Sequence, residues 1–375
     1  MSVQTAQAGE RTPVPMSAPA QSEADVAGTR QQRRPHGLML RQRSALPAGL
    51  ALLGGLTVLS LFIGSGDLPA AQTAATLRSW AAGDLPAEAR GTAELLILER
   101  RVPRTLLALL AGAALGVSGV IMQALARNPL ADPGLLGVNA GAYTAVVLGS
   151  AVMGTSVGTG HVWLAVVGAL ITAVAVYAIG ASGPMGANPA KLVLTGVSVG
   201  AVLSGISFAV TLALPDVFDR VRFWSAGSLQ GRGTEEITAL LPFLAAGLLI
   251  ALTLPRALNA LALGDDAASA LGARPGLTRL AGLCSVTLLC GAATAAAGPL
   301  SFIGLMVPHM LRMLVGPDHR WLLPLSLIAA PALLLTADIL GRIAVAAELP
   351  AGVVTAFLGA PVLIWLTRRR TVRQL

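Results

Sequence analysis

Residues 100–142, RRVPRTLLALLAGAALGVSGVIMQALARNPLADPGLLGVNAGA, decide the fold. Positions 105–126 form a run of 22 residues without a charge. At 1.5 Å per residue this is about 33 Å of helix, enough to cross a hydrocarbon layer of about 30 Å. The run therefore reads as a membrane span. Gly112 and Gly116 stand four apart within it, a spacing that lets a second helix backbone approach closely where lipid offers no hydrophobic drive. A bundle of spans is expected, with this helix packed inside it.

The rest of the chain has the same character. Charged residues make up 12% of the 375 and apolar residues 54%, against about 25% charged in soluble domains. Further apolar stretches lie at 45–63, 133–190, 192–215, 237–255, 280–311, 321–337 and 349–367. Two of these are too long for one crossing. The first divides at the Gly/Ser/Thr-rich segment 154–160 and the second at Gly298-Pro299. Ten crossings are expected in one all-α, polytopic membrane domain over 45–370, after a disordered tail at 1–44. No removable signal peptide is evident, and the first span serves as the insertion signal.

An even number of crossings puts both termini on one side. On the tail side Lys and Arg number 17 and acids seven, against nine and 11 on the other. Cytoplasmic loops carry the cationic excess, so both termini are expected in the cytoplasm. The formal charge of +8 is thus read as a topology marker and not as a nucleic-acid surface. Basic residues of the tail would lie against anionic lipid.

Four groups of residues carry possible function. Glu99, Arg100, Arg101 and Arg104 sit at the outer mouth of the second span, beside Pro103. Arginines at an interface serve as snorkelling anchors, and outward-facing guanidiniums also suit carboxylates of a soluble partner. Asp338 and Arg342 are four apart and share a helix face, which fits an internal ion pair as well as a docking role for Arg342. Arg127, Asn128 and Pro129 open a cytoplasmic turn that ends one helix before the next. Gly264, Asp265, Asp266, Ala267, Leu271 and Gly272 lie in a segment, 264–275, that reads as a short capped helix. Asp265 and Asp266 favour its first turn, Gly272 and Pro275 stop it, and Ala268, Leu271 and Ala273 would face a partner.

Some chemistry is missing from the sequence. No G-x-x-x-x-G-K-[ST] loop is present, and the one lysine, Lys191, lies in GANPAKL. A phosphate-cradling loop of that kind is therefore excluded. His36, His161, His309 and His319 are scattered, with no ligand spacing for a metal. Cys284 and Cys290 read as core residues without a disulfide. No catalytic residue, cofactor or metal site is expected.

The blocks RVPRT (101–105), GAALGVSGVIMQALARNPLADPGLLGVNAGA (112–142), FWSAGSL (223–229), GDDAASALGA (264–273), AAAGPLSFIGLMVPHMLRMLVGPDHR (295–320) and ELPAGVVTAFLGAP (348–361) together resemble the FecCD-type permeases. These are membrane subunits of ABC importers for ferric siderophores, haem and vitamin B12. The resemblance implies a non-enzymatic permease that pairs with a second copy or a paralogue. It also implies separate ABC ATPase subunits and an extracytoplasmic substrate-binding protein as partners. Within the family, Arg101, Arg104 and Arg342 occupy positions that meet acidic residues of the binding protein, with Arg100 an addition. The segment 264–273 falls on the family's coupling helix, and residues 215–223 and 299–303 resemble its gating helices. The cargo implied is a ferric siderophore, with vitamin B12 or haem as the alternative. An ion-coupled secondary transporter would need an intramembrane carboxylate or histidine relay, for which Asp338 is the candidate.

Overall fold

The computed structural model describes residues 36–64, 68–86, 90–154, 159–182, 189–345 and 347–368. All regular structure among them is helical. Helix α1 (His36–Phe62) begins within the segment read as tail, and the remaining tail residues 1–35 lie outside the described residues. No proline occurs between 36 and 44, and the buried Gln42 side chain donates to the Val315 carbonyl at 2.8 Å. Tertiary contact thus accompanies a polar helix end that hydropathy alone would leave in solvent.

Between the first two spans, residues 65–104 carry no apolar run of membrane length and read from sequence as an outer loop, but the described residues among them hold more structure than that. They contain α2 (Ala70–Ala82), closed by Gly83 at φ 81°, and α3 (Thr92–Leu95). A π-helical stretch, Leu96–Arg101, then leads without a break into α4 (Val102–Ala126). The π stretch shifts the helical phase. Ile97, Leu98 and Arg101 turn inward while Glu99 and Arg100 stay exposed.

Past a 3-10 turn at Pro133–Leu136 come α5 (Val138–Met153), α6 (Thr159–Ala181) and α7 (Pro189–Ala213). The split expected near 154 is there, with Gly154 at φ 63° ending α5. Next follow α8 (Pro215–Ser225), α9 (Thr234–Thr253), α10 (Pro255–Leu261) and α11 (Asp265–Ala270). The chain ends with α12 (Pro275–Ala297), α13 (Ile303–Val315), α14 (His319–Ala344) and α15 (Ala351–Arg368). Each expected span coincides with one helix. Among the described residues seven helices are long and apolar enough to cross a membrane, while α5, α13 and the apolar part of α15 are shorter. The protein is a multi-pass membrane protein.

Helix α4 is the centre of the bundle. The most apolar window of its helix is 78% buried, against 6% for α1 and 11% for α7, whose apolar sides stay open. The small residues seen in the sequence explain this. A Cβ on Gly112 would lie 2.5 Å from the Pro331 Cα, and one on Gly116 would lie 2.5 Å from the Ala330 Cβ, both on α14. On Gly119 it would lie 1.9 Å from the Gly304 carbonyl oxygen of α13. Backbones touch, and no side chain can be inserted between them. Of the two cysteines, Cys290 is buried as expected, whereas Cys284 is exposed, which corrects its reading as core. Helical phase is the reason: six positions along α12 do not return to the same face.

Gly119→Ala should therefore destabilise the protein by about 1–3 kcal/mol or more, because the obstructing atom belongs to backbone. Gly205→Ala, where nothing lies within 4 Å of the added Cβ, should be tolerated. Melting of the two variants in detergent checks the contrast, and equal melting points would refute the packing account.

Candidate functional site: two charged knots at the ends of α4

At one end of α4 five charged residues form a single knot. Arg101 donates through Nη1 to the Leu61 and Phe62 carbonyls at 3.2 and 3.1 Å. Arg342 donates through Nη1 to the Ser60 and Ile63 carbonyls at 2.7 and 2.6 Å. These carbonyls end α1 and have no partners of their own in the helix, so the two guanidiniums satisfy its C-terminus and complement its dipole. Ser60 Oγ and Thr105 Oγ1 share a hydrogen bond of 2.8 Å, tying α1 to α4.

Asp338 is fully buried at the heart of the knot. Arg104 approaches it in a fork, with Nε 3.0 Å and Nη2 2.8 Å from Oδ1. Arg342 donates to the other oxygen, Oδ2. Arg104 also reaches Glu348 Oε2 through Nη1 at 2.6 Å. Glu348 itself adopts φ 52°, a left-handed conformation unusual for glutamate. It accepts a second bond from Gln230 Nε2 at 2.6 Å, in the segment between α8 and α9. One carboxylate thus joins the α4 arginine to that segment.

The geometry corrects part of the expectation for these arginines. Arg101 and Arg342 are buried and the Arg104 side chain is only 11% exposed; Arg100 alone of the four is exposed. Guanidiniums expected to face outward as open forks are turned inward, because four carbonyls at the end of α1 and two carboxylates lie within their reach. The Asp338–Arg342 pair itself is present as expected. Glu348 and Gln230 were not singled out from sequence, and nothing local marks them. Their roles arise from contacts 244 and 118 residues apart in the chain.

The second knot lies at the other end of α4. Arg127 occupies φ 48°, ψ 34°, closing the helix with bonds from its own N–H to Ala124 and from the Asn128 N–H to Gln123. This is the Schellman arrangement, in which glycine is usual. The Arg127 side chain donates to the Leu261 carbonyl at 2.9 Å and to Asp265 Oδ1 at 2.5 Å. Arg279 of α12 donates to both Asp265 oxygens at 2.7 and 2.8 Å. Asn128 Oδ1 accepts from the Leu130 N–H, shaping the expected turn through Pro129.

The hydrogen bonds from Arg279 hold the Asp265 carboxyl below its ordinary value; burial opposes them, and Arg127 adds to the lowering. A depressed value means the brace is fully present above the unfolded carboxylate pKa of about 4 and is lost only as pH falls through the lower folded value. Around α11 the expectations hold in part. Asp266, Ala267, Leu271 and Gly272 are exposed, but Ala268 is buried and faces the bundle, not a partner. The helix stops at Ala270 ahead of Gly272 (φ 81°), and Pro275 opens α12 and does not terminate α11.

Two clefts flank the non-helical residues 299–302, which the family resemblance would have made a gating helix. Of the two segments for which the resemblance implies a gating helix, 215–223 is helical, within α8. One cleft of about 390 Å³ is lined by Asn139, Tyr143, Ser204 and Ser301 among others, and one of about 590 Å³ by Phe302, Val353 and Phe357 among others. Ser225, Pro299 and Ser301 border both, and no charged side chain lines either. Among the described residues no group of three or more His, Cys, Asp or Glu is placed to hold a metal ion.

The model of the FecCD transport family matches residues 52–369. The chain belongs to that family. It is 51% identical over 328 residues to the ferric enterobactin transport system permease protein FepD of Escherichia coli (strain K12), covering 87% of this chain and 96% of that one. It is 42% identical to the hemin transport system permease protein HmuU of Yersinia pestis, over 73% of this chain and 83% of that one. Among solved structures, a protein described as a metal-chelate type ABC transporter in an inward-facing conformation superposes with a TM-score of 0.73 at 27% identity. It covers 87% of this chain and 99% of its own. The ordered blocks of the sequence thus mark a FecCD-family chain, and in this chain α4 carries a charged knot at each end.

Asp338→Asn should cost about 3–5 kcal/mol, since it leaves buried guanidiniums without their carboxylate. Glu348→Gln, at the rim of the knot, should cost less. Thermal unfolding of both variants measures the difference, and an Asp338→Asn protein that melts like wild type would remove the knot from the account of stability.

Proposed function

We propose that this FecCD-family protein is the transmembrane permease subunit of an ATP-driven ABC importer that carries ferric siderophores across the cytoplasmic membrane. The observation that carries the cargo class is the 51% identity to the ferric enterobactin permease across nearly the whole of both chains. Identity to the hemin relative is lower and spans less of the chain, so haem is the lesser reading. The clefts around 299–302 are walled by neutral groups, which suits a pathway that must let its cargo leave again.

Partners follow from the same reading. ABC ATPase subunits supply hydrolysis, a substrate-binding protein delivers cargo, and a second copy or a paralogue closes the pathway. Both termini lie in the cytoplasm and the chain crosses ten times; the cationic excess on the tail side and the seven long plus three shorter apolar helices support this. The binding protein docks on the rim around Arg100, with Arg101, Arg104 and Arg342 setting its shape and charge from beneath. On the opposite face the ATPase takes the exposed side of the 264–272 segment, where Asp266, Ala267 and Leu271 point outward.

Ion-coupled secondary transport is disfavoured by a specific contact. Its candidate carboxylate, Asp338, is bound by two guanidiniums and fully buried, which leaves it no freedom to exchange protons with a pathway. In proteoliposomes holding the permease with its ATPase subunit, ferric enterobactin uptake should require internal ATP. Uptake driven by an ion gradient without the ATPase would overturn the proposal. Asp266→Lys combined with Leu271→Asp should abolish co-purification of the ATPase while membrane insertion persists. Undiminished co-purification would move the contact elsewhere.

A further inference from the structure

We infer that Arg127 is a positioning residue that passes movements of the short helix α11 to the central helix α4. It thereby couples ATP hydrolysis to transport. The inference rests on the ATPase contact proposed above.

The backbone supplies the first observation. Three non-glycine residues among those described have positive φ, and Arg127 is one of them. Glycine fits this left-handed position without strain, and an arginine there is disfavoured by its Cβ. The position serves to close α4, which glycine would do equally well. A strained residue held at such a site points to a use for its side chain.

The side-chain contacts supply the second. Arg127 Nη2 binds both the Leu261 carbonyl, at the end of α10, and Asp265, the first residue of α11. Asp265 is bound in turn by Arg279 in the first turns of α12. One carboxylate therefore joins α11 to α4 and to α12 at once. The helix has few other anchors. It is six residues long, Ala268 is its buried residue, and Asp266, Ala267, Ser269 and Ala270 are exposed. A force applied to that exposed side reaches the bundle through Asp265.

What lies behind the contact completes the argument. Arg279 borders a small apolar gap lined by Met122, Leu125 and Ala126 of α4 and Leu283 of α12. Beyond it α4 is locked by backbone contact to α13 and α14. Displacement of the Arg127 end is thus carried along α4 to α13, whose N-terminus follows directly on the cleft-lining residues Ser301 and Phe302. An exposed ion pair contributes little to stability, so the importance of this one lies in geometry.

The variant Arg127→Gly separates geometry from folding, because glycine suits φ 48°. In proteoliposomes of the permease with its ATPase subunit, this variant should melt no lower than wild type, keep its ATPase and continue to hydrolyse ATP. Ferric enterobactin taken up per ATP should fall roughly tenfold, within the usual range of coupling between sites. Arg127→Lys, which keeps the charge, should recover part of it, and Asp265→Asn should reproduce the loss. A wild-type ratio in Arg127→Gly overturns the inference. So does loss of the ATPase from Arg127→Gly, which would make Arg127 part of the docking surface. If glycine lowers the melting point, Asp265→Asn decides, and a wild-type ratio there overturns the inference equally. A wild-type complex that retains no ATPase, or shows no ATP-dependent uptake, would instead overturn the function on which the inference rests.

Discussion

Backbone contact between α4 and its neighbours is the constraint on which the rest of this structure depends. In lipid, burying leucine between helices gains little over leaving it in the hydrocarbon, so association relies on close van der Waals packing and polar bonds. Gly112, Gly116 and Gly119 remove side chains along one side of α4, and α14 and α13 occupy the space. The helix is thereby fixed in rotation as well as position. Arg104 and Arg127, near its two ends, then have one direction each in which to point.

Those two directions explain why charges can be kept in so apolar a chain. At the Arg104 end, guanidiniums meet carbonyls at the end of α1 and the buried Asp338, so each charge taken from water has a carbonyl or an opposite charge beside it. Removing one partner strands the others, which is why such a knot is sensitive to single substitutions. The Arg127 end is more exposed and its bonds are individually weaker. Its value is positional, because it attaches a short, otherwise lightly held helix to the most deeply buried of the long helices. The two ends differ in burial and, on our proposal, in work: the first shapes a rim, and the second transmits motion.

Much of the fold was legible in the sequence, and the reason is physical. Hydrocarbon tolerates only helices whose backbone bonds are internal, so apolar length and Gly-Pro interruptions located the ten apolar helices and the breaks at Gly154 and Gly298. The failures came where polarity and tertiary contact compete. Residues 36–44 looked like tail because their side chains are polar, yet they extend α1. Residues 65–104 looked like loop, yet they hold α2, α3 and a π-helical stretch. Arg101, Arg104 and Arg342 stand out in the sequence, but the open forks expected of them are closed, since their partners Leu61, Phe62, Asp338 and Glu348 come from other parts of the chain or lie a turn away. Ala268 and Leu271 were given the same face on a short helix, and the structure puts one in and one out.

By itself the sequence determined that this is a multi-pass helical membrane protein, where its apolar helices fall, and which ordered blocks mark it as a FecCD-family chain. Those properties depend on length, hydropathy and local backbone preference, which are local quantities. Tertiary structure alone decided that α4 is the hub, that Asp338 is saturated by two arginines, that Glu348 reaches Gln230, and that Asp265 braces α11 instead of presenting itself to a partner. Each of these is a contact between segments distant in the chain, and no periodicity records which distant residue a long charged side chain will find.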